Sequence, residues 1–496
     1  MLFRRAALLL PLALLPAPAS LAAQTGAEAA VEAARAWREA HGAEILAEYR
    51  ELLAIPNVAR DLPNIRRNAR AIADAFEARG ARMEILTLPE APEAPPVVWG
   101  TLPVEGAERT LVLYVHYDGQ PVDRPRWTAT EPWEPALYSG SIERGAERIA
   151  WPEADAPVDP EWRIYARSAG DDKAPLAAIL GALDALEAAG VARRANLVFF
   201  FEGEEEAGSP HLADYVDRYA DRLGSDAWLF LDGPVHQSGR PQLFFGVRGY
   251  TGLDVTVYGA TRYLHSGHYG NWAPNPAERL AALLASMQDD EGRVTVEGFY
   301  DTVEPLSKAE REAIAEIPPF EEELERELGL AESEGEGRYA ERIALPSLNV
   351  RGMAGGTVGE TARNVIPPEA TASIDVRLVA GNDPEAMLDR VEAHVRSRGW
   401  HVVREEPDRE TRLVHPRIAR IDRRPGYRAV KTSMEGAEAR RVIAAARAAS
   451  PREVVLLPTL GGSLPLYVFE DRLGAPLVGV PIANHDDNQH APDENL

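Results

Sequence analysis

A chain of 496 residues has room for two domains or more, each large enough to bury its own core. Its 53 basic and 78 acidic residues leave a formal net charge of −25, which argues against nucleic acid or an anionic membrane as a partner, since both would repel it. Cysteine is absent, so neither a disulfide nor a thiolate metal site is open to the fold.

The chain opens with Arg4 and Arg5, an apolar stretch over 6–15, and small residues leading to Ala22. That layout predicts a cleaved signal peptide over 1–22, whose apolar part is too short to span a bilayer. The expectation is an exported bacterial protein, periplasmic or secreted, with no membrane anchor after cleavage. The arginine pair leaves the Sec and twin-arginine routes both open. Helical patterns follow over 27–53 and 65–79, then a strand over 83–88.

Residues 111–115, 196–201, 227–231 and 477–480 are short apolar runs bounded by polar turns, and read as buried strands. Residues 119–162, rich in proline, tryptophan and charge, show no clear period and read as a functional or inserted segment. Residues 174–189 predict a helix with Leu176, Ile179, Leu180, Leu183 and Leu186 on one face. After Phe245 the texture changes to strands over 252–259, 373–379 and 401–404, with helices over 276–287 and 383–398. A β–α–β–β–α–β order fits this block and gives a smaller α+β domain over 246–428. The acidic stretch 320–338 reads as a solvated helix or loop. From about residue 429 the first texture returns, so a domain made of 23–245 and 429–496 is split by the second. The expected class is α/β, with a mixed, mostly parallel sheet and helices on both faces.

Chemistry gathers at the ends of the buried runs. His116 and Asp118 follow the first, Glu204, Glu205 and Glu206 the second, and Asp232 the third. His490 lies ten residues beyond the fourth, with His485 as a rival. Asp171 and Asp172 precede the helix over 174–189. Taken singly, each has an ordinary explanation: a surface His–Asp pair, a helix cap, a solvated acidic turn, a turn aspartate. Outside the carboxyl ends of strands in an open α/β sheet, however, such residues converge. Like charges there are costly unless a cation or a proton offsets them. Imidazoles and carboxylates without cysteine suit Zn²⁺ or Mn²⁺.

In this order the segments resemble the M20 family of di-metal peptidases, and most of all its carnosinase and bacterial dipeptidase branch. The resemblance runs from about residue 45 to 496. It rests on IYARSAGDDKAP at 164–175, FEGEEEAGS at 201–209, LHSGHYG at 264–270, Asn364–Pro367 followed by Arg377, and GGSLP at 461–465. It implies that the block over 246–428 is a lid and dimerisation domain, and that the protein is a homodimer. It also implies two divalent ions, zinc foremost with manganese or cobalt as alternatives. Asp171 would bridge them, His116 and Asp232 would complete one site, and Glu206 and His490 the other. Glu205 would be the general base, Asp118 would orient His116, and the Asp171–Asp172 peptide would be cis. His265 from a partner's lid would stabilise the oxyanion, while Asn364, Arg377 and Ser463 would hold a small peptide substrate.

The implied reaction is hydrolysis of dipeptides or short peptides by a di-metal-activated water. An N-acyl amino acid amidohydrolase on the same site, or a non-catalytic peptide-binding relative, stand as alternatives. The chain departs from the family's usual pattern at Ser168, Ala174 and Asn271, where glycine is common, and it ends six residues after His490, where relatives usually continue into a helix.

Overall fold

The computed structural model describes residues 19–496. The leader expected over 1–22 lies, up to residue 18, outside the described residues. Among those described, no helix is long and apolar enough to cross a membrane.

An eight-stranded mixed sheet organises the larger unit. Its spatial order is Arg82–Leu86, Val97–Leu102, Asn196–Glu202, Thr110–His116, Ala227–Phe230, Leu477–Gly479, Gln242–Phe244 and Val455–Leu457. The four central strands, from Asn196–Glu202 to Leu477–Gly479, run parallel; the pairs flanking them are antiparallel, and at the far edge Gln242–Phe244 and Val455–Leu457 are again parallel. Strands covered on both faces need apolar residues at every position, and here alternate residues divide between two cores. Val112, Tyr114, Phe200, Trp228 and Phe230 pack on one face, and Val115, Phe199 and Phe201 on the other. The second face is covered by the helices Leu62–Glu77 and Ala174–Ala188, through Ile65, Ile72, Phe76, Leu176 and Leu180.

The segment without a clear period is not loop throughout. It contributes Ala136–Tyr138 and Arg148–Ile149, which join Arg163–Tyr165 in a three-stranded sheet. Strands of two or three residues are too short to show alternation, which is why the pattern was silent. The far side of Arg163–Tyr165 is taken by the last residues of the chain, with Ile164 and Leu496 exchanging backbone hydrogen bonds of 2.9 and 3.0 Å.

The smaller unit is a five-stranded sheet in the order Ser347–Ala354, Glu369–Leu378, Gly249–Tyr258, Ile418–Tyr427 and His401–Val403. Helices Pro276–Ala285 and Pro384–Ser397 cover one face with Leu280, Leu283, Met387, Leu388, Val391 and Val395. The six-element order expected from sequence omits Ile418–Tyr427, which pairs along Gly249–Tyr258 near the middle of the sheet. Its sequence, IARIDRRPGY, carries four charges and a proline, and so lacks an apolar-strand signature. The acidic stretch holds a helix over Glu321–Leu328.

Glu392 ties this unit together. Its carboxylate accepts from Arg396 at 2.8 Å, Arg404 at 2.6 Å and Arg423 at 2.9 Å, linking the Pro384–Ser397 helix to the sheet. Burial pushes this carboxyl up, but the three guanidiniums outweigh it and hold it at about 2. A folded pKa below the unfolded value of about 4.3 means stability that is present above about pH 4 and lost as pH falls towards 2. Glu392→Gln is therefore expected to cost about 1–2 kcal/mol at pH 7, after allowance for partly solvated arginines. The gap between the melting curves of the two proteins should narrow from about pH 4 downward and close near pH 2.

Candidate metal centre

Strand register brings the site together. In the parallel ladder His116 lies opposite Glu202 and Tyr114 opposite Phe230, so the chain leaves three neighbouring strands at one edge. Past that edge come His116 and Asp118 from one strand, Glu204–Glu206 from the next, and Asp232 from the third. Asp171 arrives in the turn before the Ala174–Ala188 helix, with a cis Asp171–Asp172 peptide.

Two groups of potential ligand atoms form there, His116–Asp171–Asp232 and Asp171–Glu206–His490, each within 4.8 Å. Asp171 belongs to both. Its Oδ1 lies 2.8 Å from His116 Nε2, and its Oδ2 lies 3.0 Å from His490 Nε2. His490 Nε2 is also 3.2 Å from Glu206 Oε2, and Asp232 Oδ2 is 4.0 Å from His116 Nε2. Glu205 stands outside both groups, with Oε2 4.0 Å from His116 Nε2. His485 faces Asp486 at 4.0 Å and joins neither group.

Asp118 does more than the sequence suggested. It faces His116 Nδ1 at 3.4 Å, an ion-pair contact rather than an aligned hydrogen bond, since that nitrogen has no hydrogen-bond partner. Its two oxygens accept from the backbone amides of Glu205 and Glu206, both at 3.1 Å. One buried carboxylate thus fixes the turn that carries both glutamates. Sequence reasoning also passed over two amides that touch ligand oxygens. Gln120 Nε2 donates to Glu206 Oε2 and Gln489 Nε2 to Asp171 Oδ2, both at 2.8 Å. Their only signal was position, Gln120 four residues past His116 and Gln489 beside His490. Ser168, at one of the departures from the family's glycines, adopts φ 63° and accepts from Asn57 Nδ2 at 2.8 Å.

The electrostatics of the protein alone are those of a site that lacks positive charge. Burial, with Asp232, Glu206 and Asp171 nearby, raises the Glu205 carboxyl well above its usual range, although His116 pulls it down. Burial, opposed by His116 but reinforced by Asp171 and Glu206, pushes Asp232 up to about 7. Burial also acts on Asp171, but the imidazoles of His116 and His490 hold it well below the carboxylate range. In turn Asp171 and Glu206 raise His490 to about 10. Protons on the histidines and carboxyls here do what a divalent cation does better. A donor set of two imidazoles and three carboxylates, clustered and mostly buried, fits a borderline or hard divalent ion.

The residues expected to hold substrate fall in two places. Arg377 donates through Nη1 to Ser463 Oγ at 2.8 Å and through Nε to Asp375 at 3.2 Å, with its guanidinium 5.4 Å from the Tyr250 ring centroid. His265 and Asn364 are exposed on a separate two-stranded piece, where His265 pairs with Val365 and the Ser266 amide donates to the Asn364 carbonyl. Among the described residues, no hydrogen bond or ion pair joins either one to the two ligand groups.

Residues 245–401 match the M20 peptidase dimerisation domain. A Cys-Gly metallodipeptidase of Saccharomyces cerevisiae is 26% identical over 81% of this chain and 78% of its own length. The human Beta-Ala-His dipeptidase is 26% identical over 86% of this chain and 80% of its own. Among solved structures, an M20 family metallo-carboxypeptidase from Sulfolobus solfataricus superposes with a TM-score of 0.71 at 28% identity, covering 91% of this chain and 94% of that one. Fold, ligand groups and these likenesses define a metal-dependent hydrolase. Over most of its length the chain is similar to M20 peptidases of the carnosinase-like dipeptidase branch, with the dimerisation domain itself matched at 245–401.

Proposed function

We propose that this protein hydrolyses dipeptides or short peptides beside a free C-terminal carboxylate, with Glu205 as general base. The observation that carries the reading is Glu205 itself. It is a mostly buried carboxylate beside both ligand groups yet a member of neither, and it is held in place through its backbone by Asp118. Two bound divalent ions, zinc foremost, would polarise the scissile carbonyl and lower the pKa of water. His116, Asp171 and Asp232 would hold one, and Asp171, Glu206 and His490 the other.

Glu205 takes the proton of the attacking water and later passes it to the leaving amine, so one group serves both halves of the reaction. Arg377, aimed by Asp375 and Ser463, binds the substrate carboxylate through its planar fork. The named relatives, two dipeptidases and a carboxypeptidase, all act next to a C-terminal residue, which supports this use of Arg377. His265 and Asn364, exposed on the lid, serve the site of a partner subunit in a homodimer. The protein works after export and loss of its leader.

The test is hydrolysis of dipeptides, a tripeptide and N-acetyl amino acids by the purified mature protein, after chelation and after adding back Zn²⁺ or Mn²⁺. Metal-restored cleavage of dipeptides is expected. Cleavage of acetyl amino acids alone would move the assignment to an amidohydrolase, and two bound metals without turnover would leave a peptide binder.

A further inference from the structure

Resting on the metal-centre reading above, we propose that Glu494 is a positioning residue whose carboxylate sets the backbone of the Asp171 loop before metal arrives. Through that loop it places the one carboxylate shared by both ligand groups. Four N–H donors converge on this side chain, which is fully buried. The amides of Gly170 and Asp171 donate to Oε1 at 3.0 and 2.9 Å. The amide of Ser168 and Nη1 of Arg167 donate to Oε2 at 3.0 and 2.5 Å. Residues 168–171 lie between the Arg163–Tyr165 strand and the Ala174–Ala188 helix, where the regular ladders do not reach. Buried amides need partners, and a carboxylate supplies acceptor sites on both oxygens.

Glu494 is itself held from behind. Its carbonyl accepts from the Ala166 amide at 3.0 Å, its neighbour Asn495 donates to the Asp487 carbonyl at 2.8 Å, and Leu496 pairs with Ile164. Asp493 accepts from Thr128 and Ala129 on the other side. The same segment therefore meets Asp171 twice. Gln489 and His490 touch its carboxylate, while Glu494 holds its backbone. Because Asp171 serves both ligand groups, releasing its backbone loosens both at once.

Glutamine has the same shape but would turn an NH₂ towards N–H donors on one side, so Glu494→Gln tests the carboxylate and not the volume. The readouts are zinc affinity of the full-length mature protein by competition with a chelator, the visible spectrum with Co²⁺, and kcat against KM. Expected are a loss of at least tenfold in apparent zinc affinity, a changed cobalt spectrum, and kcat down at least 30-fold with KM within threefold. A folded variant with zinc affinity within twofold and an unchanged cobalt spectrum overturns the proposal.

If that variant does not fold, Glu494→Gln with Arg167→Met removes the buried charge together with its partner and is read the same way. A measurement on the unaltered protein decides independently of both. Amides 168–171 should exchange slowly with deuterium in the presence of chelator, and fast exchange that slows only with metal overturns the proposal. Since zinc affinity, the cobalt spectrum and amide exchange do not require peptide turnover, absence of dipeptidase activity would sink the proposed function and leave this inference standing.

Discussion

Glu205→Gln is expected to lower kcat by about 10³- to 10⁴-fold while bound metal stays at the wild-type level. That corresponds to roughly 4–5.5 kcal/mol of lost transition-state stabilisation. The size follows from one group acting twice, as base towards water and as acid towards the departing amine. The retention of metal follows from geometry, because neither ligand group contains Glu205, and glutamine keeps the backbone amide that Asp118 accepts from. KM should move little, since the carboxylate of the substrate is assigned to Arg377. Metal analysis beside steady-state kinetics checks both halves. Turnover within tenfold of wild type would remove Glu205 from the mechanism.

Stripping the metal should abolish hydrolysis and also lower the melting temperature, on the order of 5–10 °C. Without a cation, the carboxyls of Asp172, Asp232 and Glu205 crowd around an Asp171 kept ionised by His116 and His490, and they hold protons instead. In this state Asp232 sits at about 7, raised by burial and then by Asp171 and Glu206 against the pull of His116. Divalent ions bind deprotonated ligands, so metal affinity should rise with pH through 7 and fall below it, about tenfold per pH unit for each proton displaced. Titrations at pH 6, 7 and 8 would show it. An affinity that is flat across that range would mean that neither Asp232 nor His490 gives up a proton when metal binds.

Much of this centre was legible because buried parallel strands write themselves as apolar runs. Thr110–His116, Asn196–Glu202 and Ala227–Phe230 end where the runs end, and the register of the sheet brings their last residues to one edge. Strands that face solvent or lie under polar layers were harder to read. Ile418–Tyr427 carries four charges, with Arg423 turned in towards Glu392, and so shows no apolar-strand pattern, as is true of the two short strands of the segment over 119–162.

The supporting shell was out of reach for a different reason. Glu494 acts on backbone amides, which have no side-chain signature, and its contact with Asp171 spans 323 residues of sequence. The amide bonds of Asp118 to Glu205 and Glu206 are hidden in the same way. Side chains that coordinate or react leave a mark in sequence; those that brace a main chain leave almost none.

The polypeptide leaves the larger unit near residue 246 and returns near residue 430 at one place in space, and between these it reaches back through Ile314, Ile317, Phe320 and Ala340 into the core of the larger sheet. Gly246–Val247 and Val430–Lys431 lie side by side as an antiparallel pair, with Gly246 opposite Lys431. A Cβ on Gly246 would come within 2.6 Å of the Val430 carbonyl, so the closeness of the pair depends on the missing side chain. Outgoing and returning chain are therefore clasped together there, like two strands laid into one cord. With Ile314, Ile317 and Phe320 also seated in the core of the larger sheet, the smaller unit is moored by packing as well as by chain, so whatever strains one sheet is felt by the other.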